Sequence, residues 1–315
     1  MTTRPGPVSE LVSELVGELV GELVGELVGE LVGELVGALV VALTLIAAPA
    51  AASELLVDVL DVGQGDAILL RAGGKTVLVD AGPSEARVAD RLQDMRVYTI
   101  DLLVATHAHA DHIGGMEDVV RGLRVLRYLD SGQTHTTDTW SRLATALSDR
   151  GTATLGSAPG QVIRLADDVS LTVLGPPATP LTNTRSDLNA NSVVLLVDHA
   201  DVELLLPGDA EAPTEDWLVA HSLPDVEVLK VPHHGSNHSS TPPFLAAARP
   251  EIALISVGAD NVYGHPGLGA LHRLEAIGAT ILRTDLSGTL SLRSDGHKVQ
   301  ISPERGAAIT IEARP

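Results

Sequence analysis

The chain contains no cysteine, which excludes a disulfide framework, a thiolate metal site and a lipid-bearing N-terminal Cys. It does not fix the compartment, because disulfide-free proteins are also exported. Basic residues are scarce: 21 Lys and Arg stand against 41 Asp and Glu, a formal charge of −20. The first 52 residues exaggerate this with seven Glu and one Arg, and the remaining 34 acidic and 20 basic residues carry −14. Such a surface repels a phosphate backbone, and no segment resembles a basic nucleic-acid tract. A nucleic-acid substrate would need local features, such as a metal or the isolated positives Lys230, Arg283 and Arg185. No Ser or Cys constellation supplies a protein nucleophile, and no long polar linker divides residues 53–315. With 44% hydrophobic residues, 315 residues suffice for one large domain or two small ones.

The N-terminal segment is a low-complexity repeat. Residues 9–40 read SELV-SELV-GELV and so on to GALV. Four residues turn a helix by about 400°, so the Glu row drifts by roughly 40° per repeat and leaves no stable apolar face. Residues 1–34 are therefore expected to have no fixed structure of their own. Leu35 to Ser53 carries no charge and ends in small residues, with Ala50-Ala51-Ala52 fitting an A-x-A cleavage signal. Residues 35–52 read as a signal peptide cleaved near Ala52 or, uncleaved, as a membrane anchor. The flank departs from the secretory pattern, being Glu-rich with Arg4 as its single basic residue.

From Ser53 onward short apolar runs alternate with turns. Strands are expected at Leu55–Val62, Ala67–Arg71, Thr76–Asp80 and Asp101–Ala105, and in the second half at Ser170–Leu174, Ser192–Val197, Val202–Leu206, Val226–Val231 and Ile252–Val257. Thr280–Arg283, Thr289–Leu292 and Val299–Ser302 close the chain as strands. Helices are expected at Glu85–Met95, Gly114–Arg121, Thr139–Arg150, Ala212–His221 and Pro266–Ile277. Strands open each half and helices follow. This predicts an α/β fold, two mixed sheets face to face with helices outside, in an αββα sandwich spanning 53–315.

The chemistry concentrates in Thr106-His107-Ala108-His109-Ala110-Asp111-His112, just past a buried strand and before Gly114-Gly115. Neutral imidazole and carboxylate at this spacing suit Zn²⁺, Mn²⁺ or Fe. His107 and His109 can point one way, and Asp111 and His112 toward a second point a few ångströms distant. Further ligand candidates also follow strands. Asp209 ends LLLPGD and can equally cap the helix after it. His233 and His234 follow Val231-Pro232, and His265 stands in Tyr263-Gly264-His265-Pro266.

HxHxDH followed by Gly-Gly resembles the metallo-β-lactamase-fold hydrolases. Together with DVGQGD (61–66), LVDAG (78–82), NSVVLL, LLLPGDAE, LKVPHHGSNHSS and NVYGHP, it resembles the C-terminal hydrolase domain of ComEC-type DNA-uptake (competence) proteins. The likeness runs from about Leu55 to Leu292. It implies the αββα fold and two divalent ions, Zn first and Mn as an option. It implies His107 and His109 on one metal, Asp111 and His112 on the other, and Asp209 bridging. One of His233 and His234, with His234 favoured, completes the second site. Asp80 would orient a ligand. Asp111 would also orient the nucleophile; His265 would contact a phosphate or act as general acid, the latter a role open also to the other HHGS histidine. Between HxHxDH and Asp209 no convincing third histidine serves the first metal. His135 and His199, with Asp130 and Asn191, are the residues on offer.

The resulting expectation is an exported phosphodiesterase or nuclease that uses a metal-activated hydroxide. Two rivals stand beside it: an acyl hydrolase of lactones or β-lactams on the same metals, and a non-catalytic metal-binding envelope protein. At most one hydrophobic segment is present, so the chain itself does not form a DNA channel.

Overall fold

A computed structural model of the chain describes residues 7–46, 53–133 and 135–314. They fall into two units, Met1–Ala51 and Ala52–Pro315.

In the first unit, Pro7–Ile46 forms one 40-residue helix, where no fixed structure was expected of residues 1–34. Leu and Glu favour the helix and its hydrogen bonds are local, so no packing partner is required. Pro7 opens it at a position that needs no backbone donor. The drift of the repeat nevertheless shows in the exposure of its side chains. Leu11 is 63% and Val32 53% exposed, on a helix with no consistently buried side. No helix among the described residues is long and apolar enough to cross a membrane. The cleavage position near Ala52 lies outside the described residues.

The second unit holds the two mixed sheets. One has nine strands in the spatial order Ile309–Glu312, Lys298–Pro303, Leu290–Ser294, Leu55–Val59, Ile68–Ala72, Lys75–Val79, Leu102–Val104, Arg127–Asp130 and Ala153–Gly156. The other has seven: Thr280–Arg283, Ile252–Ile255, Val228–Lys230, Val202–Leu206, Val194–His199, Val169–Gly175 and Val162–Arg164. Each sheet joins an antiparallel half to a parallel half.

Side-chain alternation builds the layers. Val77 and Val79 enter the core between the sheets, together with Leu171, Leu195, Val228 and Leu254. Leu78, between them in sequence, faces the opposite way, against Leu92, Met116 and Val119 of the helices Val88–Asp94 and Met116–Gly122. On the outer side of the second sheet, Leu229 and Ala253 pack against Leu218, Phe244 and Leu274 from three further helices. Strands such as Ile252–Ile255 are apolar throughout because both faces are covered. The αββα sandwich is thus the observed fold.

Several expected elements shift or gain neighbours. The expected helix Glu85–Met95 is broken at Arg87, which is left-handed (φ 51°) between a short 3₁₀ turn and Val88–Asp94. Ala153–Gly156 and Val162–Arg164 are edge strands that the sequence reading missed. The first is exposed along its whole length and carries no alternation to read, and the second is only three residues long.

Candidate metal centre

The site forms where strands of the two sheets end near one another. Lys75–Val79 and Leu102–Val104 run parallel, which sets Asp80 beside Thr106. The Thr106 N–H and hydroxyl both donate to the Asp80 carboxylate, at 2.8 and 2.6 Å. The other sheet contributes the parallel strands Val202–Leu206 and Val228–Lys230. Asp209 follows the first and His233-His234 the second.

Backbone hydrogen bonds pin the histidine loop. The Asp66 N–H donates to the Asp111 carbonyl at 3.2 Å, and the Ala81 N–H to the His112 carbonyl at 2.7 Å. Gly65 must be glycine for this approach: its φ is +136°, and a Cβ there would lie 2.1 Å from the Asp111 oxygen. Asp80, His233 and His234 all sit in the left-handed region, at φ 59°, 51° and 54°. Such conformations cost roughly 1–3 kcal/mol each and persist where the surroundings over-determine them.

Four donor atoms converge. His112 Nε2 lies 3.3 Å from Asp209 Oδ1 and 4.0 Å from Asp111 Oδ2. His234 Nε2 lies 3.5 Å from each of the same two oxygens. Ligands about 2.0–2.1 Å from a tetrahedral Zn²⁺ stand roughly 3.3–3.4 Å apart. His112 Nε2, His234 Nε2 and Asp209 Oδ1 are buried without a hydrogen-bond partner. Burying three polar atoms unpaired is costly unless something else binds them. Spacing, atom type and orphaned lone pairs therefore fit a divalent ion held by Asp111, His112, His234 and Asp209.

The other carboxylate oxygen, Asp209 Oδ2, faces His107 Nε2 at 3.8 Å and His233 Nε2 at 3.7 Å. His109 Nδ1 is 2.9 Å from His107 Nε2. One carboxylate thus addresses two groups of imidazoles. The group around His107 is looser: among the described residues, His109 and His233 join no compact trio of donors.

A shell of fixed partners sets the rings. Asp80 Oδ2 is 2.7 Å from His112 Nδ1, and the Ser256 carbonyl is 2.9 Å from His234 Nδ1. Each leaves Nε2 toward the donors, the arrangement that orients metal-binding histidines. Glu211 Oε1 lies 3.2 Å from His233 Nδ1, and Arg185 holds Glu211 through both ends of its carboxylate.

The electrostatics follow from burial and this crowding. Burial holds His107 well below its ordinary value, reinforced by His112. Burial pushes His112 down too, but Asp209 and Asp80 outweigh it and raise His112 well above the usual range. Asp209 is correspondingly held well below the carboxylate range, as His112 and His234 overcome its desolvation. Burial pushes His234 down as well, but Asp209 and Asp66 outweigh it and raise it.

The sequence candidates fare differently. His107, His109, Asp111, His112, Asp209, His233 and His234 are brought together. His265 packs its ring 5.4 Å from that of His233, at the margin. Burial, then the neighbouring His233 and His234, pushes His265 down to about 4. His135 lines a small gap beside His107 and Asp130 but joins no trio of donors. His199 is buried against Ser294 at the far end of its strand. Asn191 ties the Leu181 and Asp187 carbonyls.

All three basic residues read as substrate contacts are ion-paired, and they differ in exposure. Lys230 is fully buried and ion-paired with Asp66, and Arg283 pairs with Asp285. Arg185 remains exposed beside the site. The Asp66–Lys230 pair and Glu211 were not given these roles from sequence. The signal for Asp66 was its place in DVGQGD. A cleft of about 530 Å³ lies elsewhere, between the helix Asp138–Arg150 and the strands beside it, and none of the metal donors lines it.

Comparison with known proteins agrees with this geometry. The model of the metallo-beta-lactamase superfamily matches residues 60–259. The chain is 28% identical to ComE operon protein 3 of Bacillus subtilis over 271 residues, covering 79% of this chain and 34% of that protein. It is 32% identical to Competence protein ComA of Neisseria gonorrhoeae over 243 residues, covering 76% and 32%. The chain therefore spans about a third of the length of these relatives. Among solved structures, CmlA, a diiron β-hydroxylase from Streptomyces venezuelae, shares the fold with a TM-score of 0.50 at 17% identity, over 78% of this chain and 55% of that one.

Proposed function

This chain belongs to the metallo-β-lactamase superfamily, and from that premise we propose that it is a metal-dependent phosphodiesterase acting on nucleic acid or a related phosphodiester. The convergence of Asp111, His112, Asp209 and His234, with three orphaned buried donor atoms among them, carries the reading. Likeness to a protein named for competence, ComA of Neisseria gonorrhoeae, supports phosphodiesters over lactones or β-lactams.

Two divalent ions, when bound, would supply a hydroxide near neutral pH and offset charge building on the phosphate oxygens. The residues do the rest. Asp209 turns one oxygen to each group of imidazoles. Asp80 and the Ser256 carbonyl hold the Nδ1 sides of His112 and His234, so that their Nε2 atoms are aimed at the metal position. Asp111, the least buried of the four donors, orients the nucleophile from the open side. Arg185, exposed yet braced by Glu211, supplies a charged hydrogen-bond donor to a non-bridging phosphate oxygen. His265, being neutral, hydrogen-bonds rather than protonates.

Export belongs to the same proposal. It rests on the uncharged run Leu35–Ser53, and N-terminal sequencing of the native protein tests it.

The test of function is hydrolysis of bis-p-nitrophenyl phosphate with Zn²⁺ or Mn²⁺ by the wild type and by Asp209→Ala. Metal-dependent turnover in the first and its loss in the second, by about a hundredfold or more, is expected. Full metal loading without phosphodiester turnover, but with ring opening of a lactone or β-lactam, would transfer the assignment to acyl hydrolysis.

A further inference from the structure

We propose that Tyr263, with Val262 beside it, is a stacking platform for a nucleobase next to the phosphodiester at the metal centre. The proposal rests on the phosphodiesterase reading above and narrows its substrate to a base-bearing, single-stranded one.

Aromatic residues are few in this chain: two Trp, three Tyr and one Phe. Phe244 and Tyr128 are spent in the core. Tyr263 is 66% exposed and Val262 91%, an apolar knuckle left in water. The Tyr263 ring lies nearly parallel to that of His265, at 18° and 5.9 Å between centroids. The His265 ring in turn is 5.4 Å from that of His233, whose Nε2 faces Asp209 Oδ2. A line of rings thus leads from the metal donors to an open aromatic surface. Tyr98, also exposed, has no such ring partner among the described residues.

The loop that presents the ring is braced. The Asn261 amide donates to the Gly258 and His265 carbonyls, each at 2.7 Å, and its oxygen accepts from the His265 N–H at 3.0 Å. These bonds hold the backbone on both sides of Tyr263, whose ring runs nearly parallel to that of His265.

Charge decides the class of ligand. A chain of −20 gains little by tracking a phosphate backbone. Affinity for a nucleic acid must come instead from the metals, Arg185 and contacts indifferent to charge. Stacking of a base on an aromatic ring is such a contact, and it is tolerant of sequence because every base has a flat face. A base inside a duplex has no free face for this, so the platform selects single strands.

The test uses the full chain loaded with metal and a short single-stranded oligonucleotide with one aminopurine base, whose fluorescence falls on stacking, and with phosphorothioate linkages, which resist cleavage but keep the negative charge. The wild type and Tyr263→Phe should quench it, whereas Tyr263→Ala should bind about tenfold more weakly with little quenching. In parallel, kcat/KM for a cleavable oligonucleotide relative to a base-free diester, methyl p-nitrophenyl phosphate, should fall about tenfold in Tyr263→Ala. Equal quenching and an unchanged ratio in Tyr263→Ala, or no binding by the wild type, would overturn the platform. Quenching that depends on Tyr263 without turnover of either diester would leave the platform standing and refute the phosphodiesterase.

Discussion

Lys230 is the sharpest place to test how the centre is built. Its side chain is fully buried and paired with Asp66, itself 2% exposed. Replacing Lys230 by Met keeps the volume and removes the charge. Asp66 is then left buried with one oxygen 3.5 Å from His234 Nδ1 and no cation of its own. Breaking such a pair from one side costs about 3–5 kcal/mol, a large share of a domain's usual 5–15 kcal/mol. At roughly 2–4 °C per kcal/mol for a domain of this size, the melting temperature should drop by about 6–20 °C. The loss should be largest in EDTA. Divalent ions at Asp209, His112 and His234 would offset the stranded negative charge, so metal should recover part of the stability. Lys230→Met with Asp66→Asn removes the stranded charge and should also recover stability, while the Ser256 carbonyl still orients His234. Thermal unfolding of the three proteins, with EDTA and with saturating Mn²⁺ or Zn²⁺, reads all of this. A drop under about 1 kcal/mol in EDTA, or one of equal size with and without metal, would refute a counter-charge role for Lys230.

Gly65→Ala should displace the histidine loop, because its Cβ would strike the Asp111 carbonyl. The expected result is at least tenfold weaker metal binding by titration calorimetry, and unchanged binding would discredit the clamp. Glu203, held up to about 7 by burial and by its neighbour Glu227, binds its proton more tightly folded than unfolded. Its contribution is present in acid, falls as pH rises from about 4.5 to 7, and stays lost above that. Glu203→Gln should therefore raise the melting temperature at pH 8 relative to wild type and flatten the decline between pH 5 and 7. Melts at those two ends that shift equally would dismiss the coupling.

What could be read from the sequence was what alternation and motif spacing encode. Strands with both faces covered, such as Ile252–Ile255, announce themselves as apolar runs. The donors His107 to His112 are legible because they crowd into six positions. Less legible were features set by tertiary context. Lys230 looks like a surface positive, and only the strand that buries it beside Asp66 shows its role. His233 and His234 look interchangeable until their left-handed backbone turns one toward Asp209 Oδ1 and the other toward Oδ2. His265 has the residue type of a general acid, and only the fold shows that partial burial beside two other imidazoles pushes its pKa down. The edge strand Ala153–Gly156 gives no period because all four residues are exposed.

The charge arrangement also orders events at the centre. Asp66, Asp80, Asp111 and Asp209 meet within one group of imidazoles, and Lys230 answers one of them. The metal-free hollow is thus rich in carboxylate, attracts dications and repels a phosphodiester. Two bound dications reverse its sign, since a bound ion is the largest local charge in such a site. On the proposed reading, metal binds first and phosphate follows, and by linkage the bound phosphate tightens the metal by the same factor. This is how an acidic protein can act on an anionic substrate without a basic groove: the attraction is confined to the metals and Arg185, and the surrounding negative surface discourages nonspecific binding along a strand.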